Sequence, residues 1–275
     1  MTAHPQPPAQ PLAVPLAVPL ALPLALPLEG RVAMVTGGSR GLGKAMAMAF
    51  AEAGADVLIT SRKVDSCRRT ADEIIAATGR RAVAYGCHVG KWDELPGLVD
   101  AAYDAFGKVD VLVNNAGIAP LYPSLAEVTE ELFDKVIAVN LKGPFRLTAL
   151  FGQRMVADGR GSIINISSIA AVRPTPRELP YAAAKAALNT ITVGFAQALG
   201  PVVRVNTIMA GPFFTDIAEG WDMVSFAEHA SHLPLKRGGQ PAEIVGAALY
   251  FAGDASSFTT GTVLPVDGGS SIARF

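Results

Sequence analysis

Tyr181 and Lys185 stand four residues apart in the run Tyr-Ala-Ala-Ala-Lys, so on a helix both side chains leave one face about a turn apart. A phenol beside an ammonium is a tuned acid. An isolated tyrosine titrates near ~10, and a fixed positive charge a few ångströms away favours the phenolate. Ser168 offers a second hydroxyl for the same substrate oxygen, with Ser167 competing for that role. Taken alone the pair is a weak signal, because Tyr and Lys meet at this spacing by chance in many chains of this length. The elements that carry it must decide.

Half of the 275 residues are hydrophobic, enough for a substantial core, and 23 basic residues balance 24 acidic ones. That balance gives no electrostatic footprint for nucleic acid or an anionic membrane, and the substrate is expected to be a small molecule rather than a polyanion. Cys67 and Cys87 lie outside any metal-ligand spacing, so no metal site is expected, and they form no disulfide framework, which fits a cytoplasmic protein. Residues 1–28 repeat Pro-Leu-Ala-Val and Pro-Leu-Ala-Leu, with a proline at every fourth position from Pro11 to Pro27. Prolines at that density forbid a helix, so the segment reads as an extended or disordered tail rather than a membrane span. It also lacks the basic start of a secretory signal.

From residue 29 onward strands and helices alternate. Arg31–Thr36 reads as a buried strand, Gly37-Gly-Ser-Arg-Gly-Leu-Gly43 as a glycine turn, and the next ten residues as a helix. Glycines let the backbone turn tightly against a pyrophosphate, whose charge is met by amides at the helix N-terminus. A second strand, 56–60, ends at Ser61 and Arg62, where a dinucleotide fold reads the adenosine ribose. A carboxylate there suits two free hydroxyls, whereas cations and small donors suit a 2′-phosphate. Ser61, Arg62 and Arg40 in the turn therefore favour NADP(H) over NAD(H).

Further strands are expected at 82–86, 109–113, 162–166, 201–208 and 261–266, with helices at 64–78, 91–106, 130–157 and 241–252 between them. The alternation implies right-handed crossovers and a parallel sheet covered on both faces. Asn114-Asn-Ala-Gly117 closes the fourth strand. Pro144 predicts a kink in the helix carrying Asn140, which frees a carbonyl or amide of Asn140 for a bound water. Residues 213–233 hold Phe213, Phe214, Ile217, Trp221, Met223 and Phe226, and read either as a lid over the ligand edge or as core packing.

Together Thr36-Gly37-x-x-x-Gly41-x-Gly43, Asn114-Asn-Ala-Gly117, Asn140, Ser168, Tyr181-x-x-x-Lys185, Asn206, Gly211–Thr215 and Asp267-Gly-Gly269 resemble the short-chain dehydrogenase/reductases, in that family's order. The resemblance spans residues 28–275 and implies an α/β, doubly wound Rossmann-type fold: one domain, a seven-stranded parallel sheet, helices on both faces. It also implies a nicotinamide cofactor and interconversion of a carbonyl and a secondary alcohol. By the same resemblance Ser168, rather than Ser167, polarises the carbonyl, and Tyr181 gives its proton to the oxygen. Lys185 lowers the tyrosine pKa and holds ribose hydroxyls, and Asn140 positions a relay water.

The implied cofactor residues are Gly37, Ser39, Arg40, Gly41, Leu42 and Gly43 in the turn, then Ser61 and Arg62. His88 and Val89 follow the third strand, and Asn115, Ala116 and Gly117 the fourth, with Tyr181, Lys185, Gly211 and Thr215 closing the set. Three features depart from the pattern. His88 stands where an aspartate is usual, Ala210-Gly211-Pro212 replaces the usual Pro-Gly, and the repeat tail has no counterpart. The apolar stretch after Pro212 points to a small apolar ketone. Sugar, polyol and 3-oxoacyl substrates are the alternatives within the family, and a non-catalytic cofactor-binding sensor is the alternative outside enzyme chemistry. The epimerase and enoyl-reductase branches fit less well, given the glycine spacing and the short tyrosine-lysine spacing. Assembly as a homotetramer or homodimer is expected by analogy.

Overall fold

The computed structural model describes residues 26–215 and 223–273. The repeat tail up to residue 25 lies outside them, as do Ile217, Trp221 and the side chain of Met223 from the expected lid.

Strand β1 (Val32–Thr36) is buried at every residue, as a strand covered on both faces must be. On one side of it run β2 (Asp56–Ser61) and β3 (Ala82–Gly86). On the other run β4 (Val111–Asn114), β5 (Gly161–Ser168), β6 (Val203–Ala210) and β7 (Val263–Val266). All neighbours pair in parallel, giving the order β3-β2-β1-β4-β5-β6-β7 and the seven-stranded sheet read from the sequence. Chain direction across the sheet reverses between β1 and β4, which opens a crevice at their C-terminal ends.

Alternation along the strands divides the core. Ala33 and Val35 pack with Met46 and Phe50 of α1 (Gly41–Glu52), Ile74 of α2 (Val64–Thr78) and Phe251 of α8 (Val245–Ala252). Val32 and Met34 face the other layer, with Leu98 of α3 (Leu95–Phe106) and Phe151 of α5 (Gly143–Ala157). Leu28 is fully buried in the first layer, and its amide donates to the Ala53 carbonyl at 2.8 Å.

The helix expected over 91–106 is divided into a 3-10 turn at Trp92–Glu94 and α3, because Pro96 suits the first turn of a helix and not its interior. The long helix expected over 130–157 is divided as well. It consists of α4 (Glu130–Ile137), one π turn at Ala138–Lys142, and α5. Pro144 has no N–H to give to the Asn140 carbonyl four residues back, so the ladder widens: the Gly143 amide bonds Ala138, five back. The expected kink is this π turn. Part of the expected lid packs like core: Phe213 is buried, and Phe214 meets Phe226 of α7 (Met223–Ser231) edge-on at 4.9 Å.

A buried polar chain ties the crevice strands to α6 (Leu179–Leu199). Asn114 Nδ2 donates to Thr148 Oγ1 at 3.0 Å and to Asn165 Oδ1 at 2.9 Å, and Asn165 Nδ2 donates to Thr192 Oγ1 at 2.9 Å. Thr192 in turn meets Thr207 at 2.8 Å. One chain of side chains thus locks α5, β4, β5, α6 and β6 in register. Asn165→Leu removes a central link and strips Asn114 and Thr192 of a partner inside the core. We expect it to lower the unfolding free energy by about 1–3 kcal/mol in denaturant titration. A variant as stable as the parent would show that the chain does not hold the register.

Candidate active site

β5 ends in two serines, and alternation sends them to different tasks. Ser167 is buried and its hydroxyl donates to the Lys185 carbonyl at 3.2 Å, so it fastens α6 to the sheet. Ser168 faces the cavity and hydrogen-bonds Tyr181. Both serines line the cavity, but the Ser167 hydroxyl is committed to the Lys185 carbonyl whereas Ser168 meets the Tyr181 phenol. Lys185, one turn beyond Tyr181, is buried with Nζ donating to the Ile166 carbonyl at 2.8 Å and lying 5.6 Å from the centre of the Tyr181 ring. Ser168, Tyr181 and Lys185 share a cavity of about 570 Å3 with Ile169, Pro212, Phe213 and Phe226.

Burial sets the protonation of this pair. It pushes the Tyr181 phenol up to about 12, against the pull of the Ser168 hydrogen bond, and the Glu178 carboxylate adds to the rise. Burial also brings Lys185 down to about 8. The net shift of the phenol is therefore upward rather than the downward one expected from the sequence, and Lys185 is not among its causes. The ammonium is turned toward the Ile166 carbonyl, and the loss of water disfavours a phenolate. At neutral pH Tyr181 holds its proton and is a donor.

Asn140 is fully buried in the π turn. Its Nδ2 donates to the Ile118 and Val136 carbonyls, both at 2.9 Å, and its Oδ1 accepts the Ile118 amide at 3.2 Å. The side-chain amide is thus committed to the protein. The backbone carbonyl receives no i+4 N–H, because Pro144 has none. Gly117 permits the approach: a Cβ there would stand 2.8 Å from Asn140 Oδ1.

A second cavity, of about 200 Å3, borders the first and shares Leu42, Asn115, Gly117, Ile118 and Thr215 with it. The glycine turn forms its floor. Gly37 has φ +64°, and a Cβ on it would press 2.9 Å from Asn115 Nδ2. Asn115 Nδ2 donates to the Thr36 carbonyl at 2.8 Å, while Thr36 Oγ1 accepts the Asn115 and Ala116 amides at 2.9 and 3.0 Å. The end of β4 is thereby bolted to the turn. Helix α1 starts at this floor with no side-chain cap and no acidic residue in its first turn, which leaves its amides and dipole open to an anion. These features fit a dinucleotide pyrophosphate.

All the turn residues named from the sequence line this cavity, as do Ser61, Arg62, His88, Val89, Asn115, Ala116, Gly117 and Thr215. Tyr181, Lys185 and Gly211 line its neighbour. The Ser61 hydroxyl is 3.0 Å from Cys67 Sγ and donates to the Lys63 carbonyl at 3.3 Å, so part of its capacity is used internally. His88 Nδ1 accepts the Gly90 amide at 3.1 Å, which assigns the ring proton to Nε2. Where an aspartate could only accept, His88 presents a donor.

Other named positions turn out to be structural. Asn206 holds the turn before β7 through Thr259 and Thr262, and Asp267 accepts the Gly269 and Ser271 amides. Gly211 is needed for close approach, since a Cβ there would lie 2.5 Å from Asp267 Cα, and Pro212 follows without disturbing the strand.

Sequence reasoning missed Lys135 of α4, which enters the dinucleotide cavity, and the charged pair Arg177 and Glu178 in the other. Lys135 carries no motif; the tertiary fold brings it to Arg40 and Arg62, with which it also lines an outer cavity. Among the described residues no group of His, Cys, Asp or Glu could hold a metal, and no helix is long and apolar enough to cross a membrane. Cys67 and Cys87 are free and buried.

The family model described as Enoyl-(Acyl carrier protein) reductase matches residues 37–271. A 3-oxoacyl-[acyl-carrier-protein] reductase of Thermotoga maritima is 35 % identical, over 88 % of this chain and 98 % of its own length. An L-rhamnose 1-dehydrogenase (NAD(P)(+)) of Azotobacter vinelandii is 38 % identical, over 87 % of this chain and 96 % of its own. Among solved structures, an NADPH-dependent 3-quinuclidinone reductase of Rhodotorula rubra superposes with a TM-score of 0.85 at 29 % identity, covering 98 % of this chain and all of the other.

Burial of Lys185 has a cost that replacement should expose. The unfolded chain keeps the ammonium charged up to its ordinary value of 10.5, the folded chain only to about 8, so below pH 8 folding must hold a desolvated charge. Lys185→Met is expected to raise the unfolding free energy at pH 7 by about 1–3 kcal/mol. The gain should shrink between about pH 8 and about pH 10.5 as the native lysine deprotonates first. Denaturant titrations of both proteins at pH 7 and pH 10 measure it, and a variant no more stable at pH 7 would contradict the account.

Proposed function

The chain belongs to the short-chain dehydrogenase/reductase family, and from that premise we propose that it is an NADP(H)-dependent oxidoreductase interconverting a carbonyl and a secondary alcohol, with Tyr181 as general acid and base. One observation carries the reading: Ser168, Tyr181 and Lys185 meet in a cavity that shares walls with the glycine-turn cavity. When bound, the nicotinamide dinucleotide supplies the two electrons of the reduction. The chain supplies the proton and the orientation. Tyr181, kept protonated by burial, donates to the substrate oxygen, and Ser168 gives that oxygen a second donor. Lys185 stands ready to return a proton to Tyr181, and the Asn140 carbonyl is suited to hold a water on the path from solvent.

Arg40, Arg62 and Lys135 at the adenosine end support the choice of NADP(H). The name of the 3-quinuclidinone reductase agrees, while that of the rhamnose dehydrogenase admits both cofactors. The apolar wall of Ile169, Pro212, Phe213 and Phe226 supports a small apolar ketone. Arg177 and Glu178 at the same cavity favour a second reading, a sugar, polyol or 3-oxoacyl substrate of the kinds named for the relatives. The reading includes a cytoplasmic location, in keeping with two unpaired buried cysteines, and a homotetramer or homodimer, in keeping with exposed Phe145 and Val193 on α5 and α6.

The test is cofactor consumption over a panel of ketones, sugars and 3-oxoacyl thioesters, with NADPH and NADH run side by side. Turnover is expected with NADPH, and Tyr181→Phe should lower it by about a hundredfold to ten-thousandfold without loss of cofactor binding. No oxidation of NADPH by any carbonyl would overturn the reading. Arg62→Asp should weaken NADPH binding by at least about tenfold more than NADH binding, measured by fluorescence titration. Equal losses would remove Arg62 from the phosphate site.

A further inference from the structure

The distance between Ser168 and Tyr181 depends on the ten or so residues that join them, and one side chain from elsewhere holds that loop. Tyr122, half-buried in the segment after β4, donates its phenol proton to the Pro176 carbonyl at 2.7 Å. The same oxygen accepts the Leu179 amide at 2.9 Å. Leu179 is the first residue of α6, where amides have no partner within the helix. Glu178, at the cap position, makes no side-chain cap bond, and Pro180 has no N–H. The outside phenol therefore supplies the cap that the loop itself does not.

The two bonds bracket Arg177 and Glu178, which line the substrate cavity from one side, while Ala119 and Leu121 from the Tyr122 segment line it from the other. Glu178 has Thr175 as its side-chain partner, at 3.2 Å, and its charge is felt at the Tyr181 phenol. Two residues, Pro120 and Leu121, separate Tyr122 from Ala119, and Pro180 alone separates Leu179 from Tyr181. A single hydroxyl thus joins the two lips of the cavity and caps the first turn of α6.

We propose that Tyr122 is a positioning residue that staples the two lips of the substrate cavity, setting the width of its mouth and the placement of Arg177 and Glu178. The kinetic part of this proposal rests on the carbonyl reductase reading; the structural part does not. Because the staple lies near the surface, water can satisfy the freed Pro176 and Leu179 groups, so its loss acts on order more than on stability.

The experiment compares the full chain with Tyr122→Phe, which keeps the ring, and with Tyr250→Phe as a control whose hydroxyl meets Thr259 on the far side of the fold. Amide hydrogen exchange across residues 173–182 reads the staple without turnover. Tyr122→Phe should accelerate exchange there by about fivefold to tenfold, the loss of one net hydrogen bond, and the control should not. With the best carbonyl of the panel, KM should rise by a similar factor of about five to ten while kcat stays within about twofold. NADPH affinity should not change.

Unchanged exchange would overturn the staple. Faster exchange with an unchanged KM, or with an equal loss of NADPH affinity, would overturn its role in positioning the substrate. If the parent protein reduces no carbonyl, the functional reading falls, and the exchange result alone then decides the staple.

Discussion

A desolvated ammonium is the constraint to which the rest of the site answers. Lys185 is 3 % exposed, with the Ile166 carbonyl as its hydrogen-bond acceptor, and burial brings its pKa down to about 8. A long flexible side chain carrying that penalty would leave for water unless its backbone were held. The holding is visible in three places. Ser167 bonds the Lys185 carbonyl, Thr192 two turns later bonds Asn165 and Thr207, and Gly117 approaches so closely that even its missing Cβ would lie 3.6 Å from Nζ. The polar links through the core are therefore part of the chemistry. They fix the register of α6 on β5 and β6, and that register keeps a charge where solvent cannot reach it.

The same logic connects the π turn to the dinucleotide cavity. Pro144 breaks the helical ladder, and the extra residue rotates Asn140 toward Ile118, the residue after Gly117. Asn140 then reads both backbone groups of Ile118 and holds the loop after β4 in place. That loop is bolted at its other end by Thr36 and Asn115 to the glycine turn. A proline in one helix, a threonine at the end of β1 and two asparagines form a continuous frame between the cofactor floor and Lys185. Its threonine and two asparagines are buried or partly buried, and each is hydrogen-bonded, as buried polar groups must be.

Much of this was legible in the sequence because it depends on local pattern. Seven apolar runs of strand length, separated by helical stretches, specify a parallel sheet, and the glycine spacing marks the turn whatever surrounds it. The chemistry-bearing residues were legible for the same reason: Tyr181 and Lys185 share a helix, and Ser168 ends a strand. What could not be read is what depends on environment. The direction of the Tyr181 shift follows from how much water the cavity excludes, a tertiary quantity, and a one-dimensional neighbour rule gives the wrong sign. The kink at Pro144 was visible but not its form as a π turn, since only the Ile118 backbone explains why one extra residue is tolerated. Lys135 and Tyr122 act across many tens of residues and carry no spacing signal at all.

The division of labour between sheet and loops follows from these constraints. Asn140, Ser168, Tyr181 and Lys185 sit on the π turn, β5 and α6, where parallel pairing and buried side-chain bonds leave little freedom. Other residues of the cavity wall sit on segments attached by few bonds: Arg177 and Glu178 between two Tyr122 contacts, Phe226 on the short helix α7. A change in the first set disturbs paired buried groups and the fold with them, whereas a change in the second alters only a cavity wall. Relatives named as a 3-oxoacyl-[acyl-carrier-protein] reductase, an L-rhamnose 1-dehydrogenase and a 3-quinuclidinone reductase are in keeping with such an arrangement. Under the proposed function specificity resides in the lips of the cavity, and the rigid frame beneath them holds Ser168, Tyr181 and Lys185 in place.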